Sequence, residues 1–444
     1  MLKKIDKCGQ EVLCWSKRHF GNVRLELEKK RKELKQAERL SVRTGNSDRM
    51  RALESEINLL LDKEAQMWRQ RSRILWMKDG DRNTKFFHSK ASQRRRRNYI
   101  TKLYDSTSRW CTRESQVNDT ILGFYRELFT SANPENLADV LEVIHQVVTE
   151  SMNASLTREF TIEEVEAAMK EMAPLKAPGP NGMPPLFYQS YWSLVGSEVS
   201  QSILHYLNTG TLPQSLGHSF ITLIPKVKNP EYVSQFRPIS LSNVLYRIFA
   251  KVLANRLKKI MPLLISEHQS AFLYDRLISD NILVAFETLH HMKNHNKGKT
   301  CFMALKLDMS KAYDRVEWLY MEHVLVKMGF HNRWVHLMML CITNASYSIL
   351  INGEPHGNIT PTRGLRQGDP LSPYLFLMCT ESLHGLIKKA AHNGDIRGVS
   401  ICQSGSKLTH LLFADDSVIF CKAKESECQC LLDILAKYES ASGQ

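Results

Sequence analysis

No stretch of this 444-residue sequence approaches the ~18 consecutive apolar residues that a membrane-spanning helix needs. The N-terminus, MLKKIDKCGQEVLCW, holds no apolar core of signal-peptide length, so a secreted destination is not expected. Glycine (21) and proline (15) are sparse, which excludes collagen-like and low-complexity chains. The ten cysteines are scattered, and Cys428 with Cys430 lacks a matching second pair for zinc. Reduced thiols are therefore expected rather than a disulfide framework. No internal repeat is visible. What remains, with 43% hydrophobic and 24% charged residues, is an ordinary globular chain of about three domain-lengths.

Acidic residues are short in one region only. Residues 1–100 hold 27 Lys+Arg against 13 Asp+Glu, while the remainder holds 33 of each, so the net charge of +14 sits in the first quarter. The densest part, Arg69 to Lys102, has 12 basic residues facing Asp79 and Asp81. Within it Arg94, Arg95, Arg96 and Arg97 run consecutively near Trp68, Trp76, Phe86, Phe87 and Tyr99. Cations hold phosphates and aromatic faces stack on exposed bases, so this stripe is assigned to nucleic acid. A solvated surface is the alternative.

Glu and Lys/Arg recurring three and four apart predict a charged helix pair over 24–75, broken at Thr44-Gly45-Asn46-Ser47. Helical patterns over 116–170 are split at Asn133-Pro134, and Thr161 with Glu164 reads as a capping box. From about residue 175 the texture changes. Residues 216–227 and 301–309 read as buried strands, and 345–352 before Gly353 as one arm of a hairpin. Helices are predicted at 241–260, at 311–328 with a stop at Gly329, and at 370–391 with Pro370 in the first turn. The mixture predicts an α+β fold, with a helical basic extension over 1–150 and a second domain over 175–444.

Three carboxylates stand out. Asp308 ends an apolar strand before Ser310, a candidate cap for the next helix, and Asp415-Asp416 form a turn between two apolar runs. Turns favour Asp for local reasons, but a cluster of like charges becomes sensible when divalent cations neutralise it. Two Mg²⁺ ions held by such oxygens can stabilise both the attacking and the leaving oxygen of a phosphoryl transfer.

Phe413-Ala414-Asp415-Asp416 and Leu307-Asp308-Met309-Ser310-Lys311-Ala312-Tyr313-Asp314 resemble motifs C and A of reverse transcriptases, most closely the plant LINE-type (non-LTR) retrotransposon enzymes. The similarity continues in order along about residues 68–444. Lys176-Ala177-Pro178-Gly179-Pro180-Asn181-Gly182 is similar to the family's early signature, with Asn181 where Asp is usual. Leu223-Ile224-Pro225-Lys226 and Phe236-Arg237-Pro238-Ile239-Ser240-Leu241 resemble the fingers, and Gln269-Ser270-Ala271-Phe272 with Asp280-Asn281 the next block. Gly364-Leu365-Arg366-Gln367-Gly368-Asp369-Pro370 resembles motif B, and Gly80 to His88 the segment before the polymerase.

The resemblance implies the fingers and palm of a right-hand polymerase copying an RNA template onto a DNA primer from deoxynucleoside triphosphates. It gives two Mg²⁺ ions to Asp308 and Asp415, supported by Asp416, with the Met309 carbonyl as a further ligand. Tyr313 matches the steric-gate aromatic that rejects a 2′-hydroxyl. Lys226 and Arg237 match triphosphate-binding positions, Gln367 would lie against the incoming base pair, and Arg366 against the template backbone. An RNA-copying RNA polymerase shares the Asp-Asp turn, but Tyr313 and the Gly364-to-Pro373 block argue against it. Nuclear residence follows from the family's life cycle. Tyr438 to Gln444 look like the opening of motif D, so a truncated copy without thumb or endonuclease is the expectation. A catalytically dead remnant that only binds nucleic acid is the alternative function.

Overall fold

The computed structural model describes residues 1–19, 22–45, 47–72, 84–135, 137–294, 301–400 and 407–444. The chain forms two compact units, Met1–Thr112 with Ile224–Phe236, and Arg113–Leu223 with Arg237–Gln444. Among the described residues no helix is long and apolar enough to cross a membrane.

In the first unit, the charged pattern becomes helices Val23–Thr44 and Asp48–Ser72. Gly45 ends the first of them at φ +71°, its N–H reaching Ser41 O at 2.9 Å, a conformation that costs glycine nothing. The pair closes as an antiparallel hairpin, with Leu27 and Ala37 buried on one helix and Leu53 and Ile57 on the other. Lys30–Glu56 (2.8 Å) and Arg24–Glu64 (3.4 Å) lace its rim. Helix Thr84–Asn98 carries the four arginines and leads into the hairpin β1 (Leu103–Tyr104) and β2 (Trp110–Cys111). Trp76 and residues 80–83 lie outside the described residues.

The second unit mixes helices with two sheets, the predicted α+β class. In one sheet the strands run in the order β4 (Phe236–Ser242), β3 (His218–Pro225), β6 (Ser346–Ile351), β7 (Glu354–Ile359). β3 pairs parallel with β6, and β6 turns back on β7 as the Gly353 signal predicts. The other sheet is antiparallel, with β9 (Asp416–Lys422) between β5 (Phe302–Asp308) and β8 (His410–Phe413). Fully buried Trp334, Tyr246, Tyr320, Phe249, Phe376 and Phe420 anchor the core. Each contributes on the order of 2–3 kcal/mol of apolar burial. The Thr161 capping box is present, with Thr161 N–H donating to Glu164 at 3.1 Å.

Four local expectations need correction. Strand β5 is half-buried to exposed along its length rather than buried. The helix predicted over 311–328 is two pieces, Ala312–Arg315 and Trp318–Lys327. Between them Val316 and Glu317 are extended, because Glu317 is drawn into a buried ion pair with Arg363 (3.3 Å) and accepts Ala132 N–H at 3.0 Å. Ser310 caps nothing there; Lys311, at φ +57°, precedes the helix instead. Pro370 lies two residues ahead of helix Ser372–Asn393, which takes Pro373 in its first turn.

Candidate active site

Register brings the acids together. Asp308, last in β5, sits directly opposite Asp416, first in β9, and Asp416 also pairs with Phe413 across the hairpin. Opposed residues of an antiparallel pair point to the same face, so both carboxylates emerge side by side, and a one-residue slip would part them. Lys306 shares that face two residues earlier and reaches Asp416 at 3.3 Å, offsetting the like-charge repulsion of the pair. The turn itself is Ala414-Asp415 rather than Asp415-Asp416. Ala414 sits at φ +53°, in a region that non-glycine residues enter only under constraint.

The constraint has a visible source. Gln269, wholly buried, accepts the Ala414 N–H on Oε1 at 3.1 Å, and Leu412 N–H donates to His268 O at 2.8 Å. Asn281 Nδ2 holds Leu412 O at 3.0 Å from the other side. Residues 268–281, noted in the sequence only as a motif block, therefore brace the acidic turn. Met309 N–H bonds Asp415 O at 3.3 Å, locking the end of β5 to the same turn. The donor set is entirely oxygen, partly solvent-exposed, and anionic. Such a set fits Mg²⁺ and not a soft metal.

Tyr313 follows the strained Lys311 and stacks on buried Phe376, centroids 4.8 Å apart and planes at 11°. Burial, and then the charge of Asp415, push its phenol well above the ordinary range. Tyr313 and Gln367 line one cavity of about 580 Å³. Gln367 Nε2 donates to both oxygens of Asp314, at 2.8 and 3.0 Å, so its amide is fixed in orientation. Gly364, at φ +95°, packs so close to the Asp314 backbone that an added Cβ would lie 2.6 Å from its carbonyl oxygen. The same cavity holds three cations, Lys176, which the sequence reading placed only in a signature, and Arg247 and Lys251, which it did not name. Burial, with Arg247 adjacent, lowers the Lys176 ammonium below its usual range.

Arg366 is a correction. Instead of facing a template, it is buried, donating to Cys341 O (2.9 Å), Gly217 O (2.7 Å) and Asn344 O (3.3 Å), with its guanidinium 4.3 Å over Tyr246. Without this clamp the Gly217 and Asn344 carbonyls would lose its donation, and the Cys341 carbonyl would keep only the Tyr246 hydroxyl at 3.1 Å. Arg366→Met is expected to lower unfolding stability by about 3 kcal/mol in a urea titration, since buried acceptors left unpaired cost ~1–3 kcal/mol each. An unchanged midpoint would contradict the clamp.

Lys226 and Arg237 are both exposed, Lys226 in the first unit and Arg237 on β4 in the second. Arg94, Arg95, Arg96 and Arg97 are likewise exposed. Within the first unit, Arg95, Arg96, Arg97, Lys102, Lys228 and Trp110 line a cavity of about 1110 Å³. Beside it stands an aromatic ladder, Trp110 to Tyr104 at 3.9 Å and Tyr104 to Tyr232 at 5.1 Å, with Lys102 Nζ 4.0 Å over the indole.

Comparison with known proteins agrees with this geometry. Residues 224–443 match the family of reverse transcriptases (RNA-dependent DNA polymerases). The chain is 26% identical over 366 residues to the transposon TX1 uncharacterized 149 kDa protein of Xenopus laevis, covering 81% of this chain and 27% of that protein. It is 28% identical over 326 residues to the Pol polyprotein of the type-2 retrotransposable element R2DM of Drosophila melanogaster, covering 73% and 28%. A 68-residue stretch is 54% identical to the uncharacterized mitochondrial protein AtMg01250 of Arabidopsis thaliana, 15% of this chain and 56% of that one. The chain thus spans about a quarter of the length of its long relatives. It carries a reverse transcriptase domain, and that domain belongs with those of non-LTR retrotransposons.

Proposed function

We propose that this chain extends a DNA primer on an RNA template by divalent-cation-dependent nucleotidyl transfer from deoxynucleoside triphosphates. The observation that carries the reading is the pairing of Asp308 with Asp416 beside the braced Ala414-Asp415 turn. Asp308 and Asp415 hold two Mg²⁺ ions, Asp416 supports them, and the Met309 carbonyl is the additional oxygen. When bound, the cations supply charge that lowers the pKa of a primer 3′-hydroxyl and neutralises nucleotide phosphates. Asp308 ends a strand and Asp415 a turn, so neither needs to reorganise to receive them.

Tyr313 closes the nucleotide cavity where a ribose 2′-hydroxyl would sit. Gln367, aimed by Asp314, lies against the nascent base pair. Arg237 binds the triphosphate, a role its exposure permits. The arrangement fits the fingers and palm of a right-hand polymerase over 175–444, whereas the basic extension expected over 1–150 is cut short, since residues 113–150 pack in the second unit and 224–236 in the first. The 54% match to a plant sequence favours a plant element, and the family's life cycle a nuclear setting.

In the first unit, Arg94, Arg95, Arg96 and Arg97 hold RNA phosphates while the Trp110–Tyr104–Tyr232 ladder offers faces to unpaired bases. Replacing all four arginines by Ala is expected to flatten the log–log salt dependence of RNA binding by about 2–3, at roughly 0.7 per lost phosphate contact. An unchanged slope with an intact circular dichroism spectrum would reduce the run to a solvated face. The whole reading is tested by primer extension with the wild-type chain and its Asp308→Asn and Asp415→Asn variants.

A further inference from the structure

Three imidazoles from distant parts of the second unit converge. His268 immediately precedes the bracing Gln269, His384 lies on helix Ser372–Asn393, and His410 opens β8. Their ligand nitrogens all lie within 4.8 Å of one another, a grouping of three metal-type side chains found nowhere else among the described residues. Ring centroids are 5.1 Å apart for His268 and His384, 4.5 Å for His268 and His410, and 5.0 Å for His384 and His410. A tetrahedral zinc-type ion with nitrogens at about 2.0–2.1 Å places ring centres about 3 Å from itself, and therefore about 5 Å from each other. The three ring centres stand near that spacing, and with His268 and His410 nearly parallel at 14°, binding turns one of those two rings to aim its nitrogen at the ion.

Hydrogen bonding accounts for only part of the cluster. His384 Nδ1 and His410 Nε2 are 2.9 Å apart, and Thr409 Oγ1 lies 2.8 Å from His410 Nδ1. The threonine fixes the far nitrogen of His410 in the way outer-shell partners fix metal-bound imidazoles. His268 Nδ1, however, is buried with no hydrogen-bond partner among the described residues. Access exists, because His268 and His384 line a cavity of about 1050 Å³ that also holds Glu381, one turn before His384.

We propose that His268, His384 and His410 form a binding site for one zinc-type divalent cation, separate in chemistry from the oxygen-only site of the acids. Imidazole nitrogens select such an ion where carboxylates select Mg²⁺. The fourth position is left to water or to Glu381. The ion ties three parts of the chain that converge on the acidic turn: the 268–281 brace, β8, and the helix that follows motif B. This inference stands independently of the proposed polymerase activity.

The test uses the untagged chain, stripped of metal and titrated with Co²⁺ or Zn²⁺ in excess Mg²⁺ to mask the carboxylates. One equivalent of ion is expected, with tetrahedral Co²⁺ absorption bands and no thiolate charge-transfer band. His268→Ala and His384→Ala should each weaken binding at least about tenfold, since outer-shell partners alone are worth about 10–100-fold. Asp308→Asn should leave it unchanged. Should His268→Ala lose its circular dichroism signal, His384→Gln, which keeps the side chain's bulk, gives the deciding comparison. Absence of a stoichiometric ion in the wild type, or binding that survives the His384 substitution, overturns the proposal.

Discussion

Replacing Asp415 by Asn is expected to cut Mg²⁺-dependent extension of a DNA primer by at least about 10³-fold without loosening the fold. The amide keeps the size of the carboxylate and the Ala414-Asp415 turn, whose backbone is held by Gln269 and Met309 rather than by the Asp415 side chain. What disappears is one negative charge from the proposed Mg²⁺ donors. Cation stabilisation of phosphoryl transfer is worth several kcal/mol, and each ~1.4 kcal/mol is tenfold in rate. Asp308→Asn should behave alike. Asp416→Asn should be milder, because Asp416 already spends part of its charge on Lys306 at 3.3 Å. RNA affinity should be unaltered in all three, which separates lost chemistry from lost binding. Normal extension by Asp415→Asn would show that the turn is merely a hairpin end.

Tyr313→Ala is expected to retain deoxynucleotide addition and raise ribonucleotide addition by about 10²-fold. Its ring is held flat against Phe376 at 4.8 Å and lines the cavity shared with Gln367. A ring fixed in that way cannot swing aside for an extra hydroxyl, and the clash costs ~1–3 kcal/mol, or about 10–10²-fold. Tyr313→Phe, which keeps the ring, should preserve discrimination. If both variants discriminate like the wild type, Tyr313 is a core aromatic and another group reads the sugar.

The acids were legible in the sequence because each is carried by a local signal. Asp308 ends an apolar strand, and the Asp415-Asp416 pair interrupts two apolar runs, so strand pairing alone aligns them. The charged hairpin at 24–75 and its Gly45 break were legible for the same reason, since helix periodicity and a left-handed cap are both local. What escaped notice depends on partners far along the chain. Gln269 stands out only as the start of a motif block, and its bracing role appears when Ala414, 145 residues away, meets its Oε1. Arg366 reads as a template-backbone contact within a glycine-flanked loop, yet three carbonyls from two other segments enclose it. The interruption at Val316-Glu317 carries no glycine or proline, because a buried ion pair with Arg363 causes it. The histidines 268, 384 and 410 have no periodic relation at all, and only the packing of β8 against neighbouring segments makes them neighbours.

The proposed activity of the braced acidic turn is RNA-instructed DNA synthesis. Single-nucleotide addition measures this most directly, with the wild-type chain bound to a DNA primer annealed to each of four RNA templates differing in the first unpaired base. Each template is expected to direct addition of its complementary deoxynucleotide, only with Mg²⁺ present, and to lose it in Asp308→Asn. Template–primer that binds but gains no nucleotide, or gains one regardless of the templating base, would contradict it.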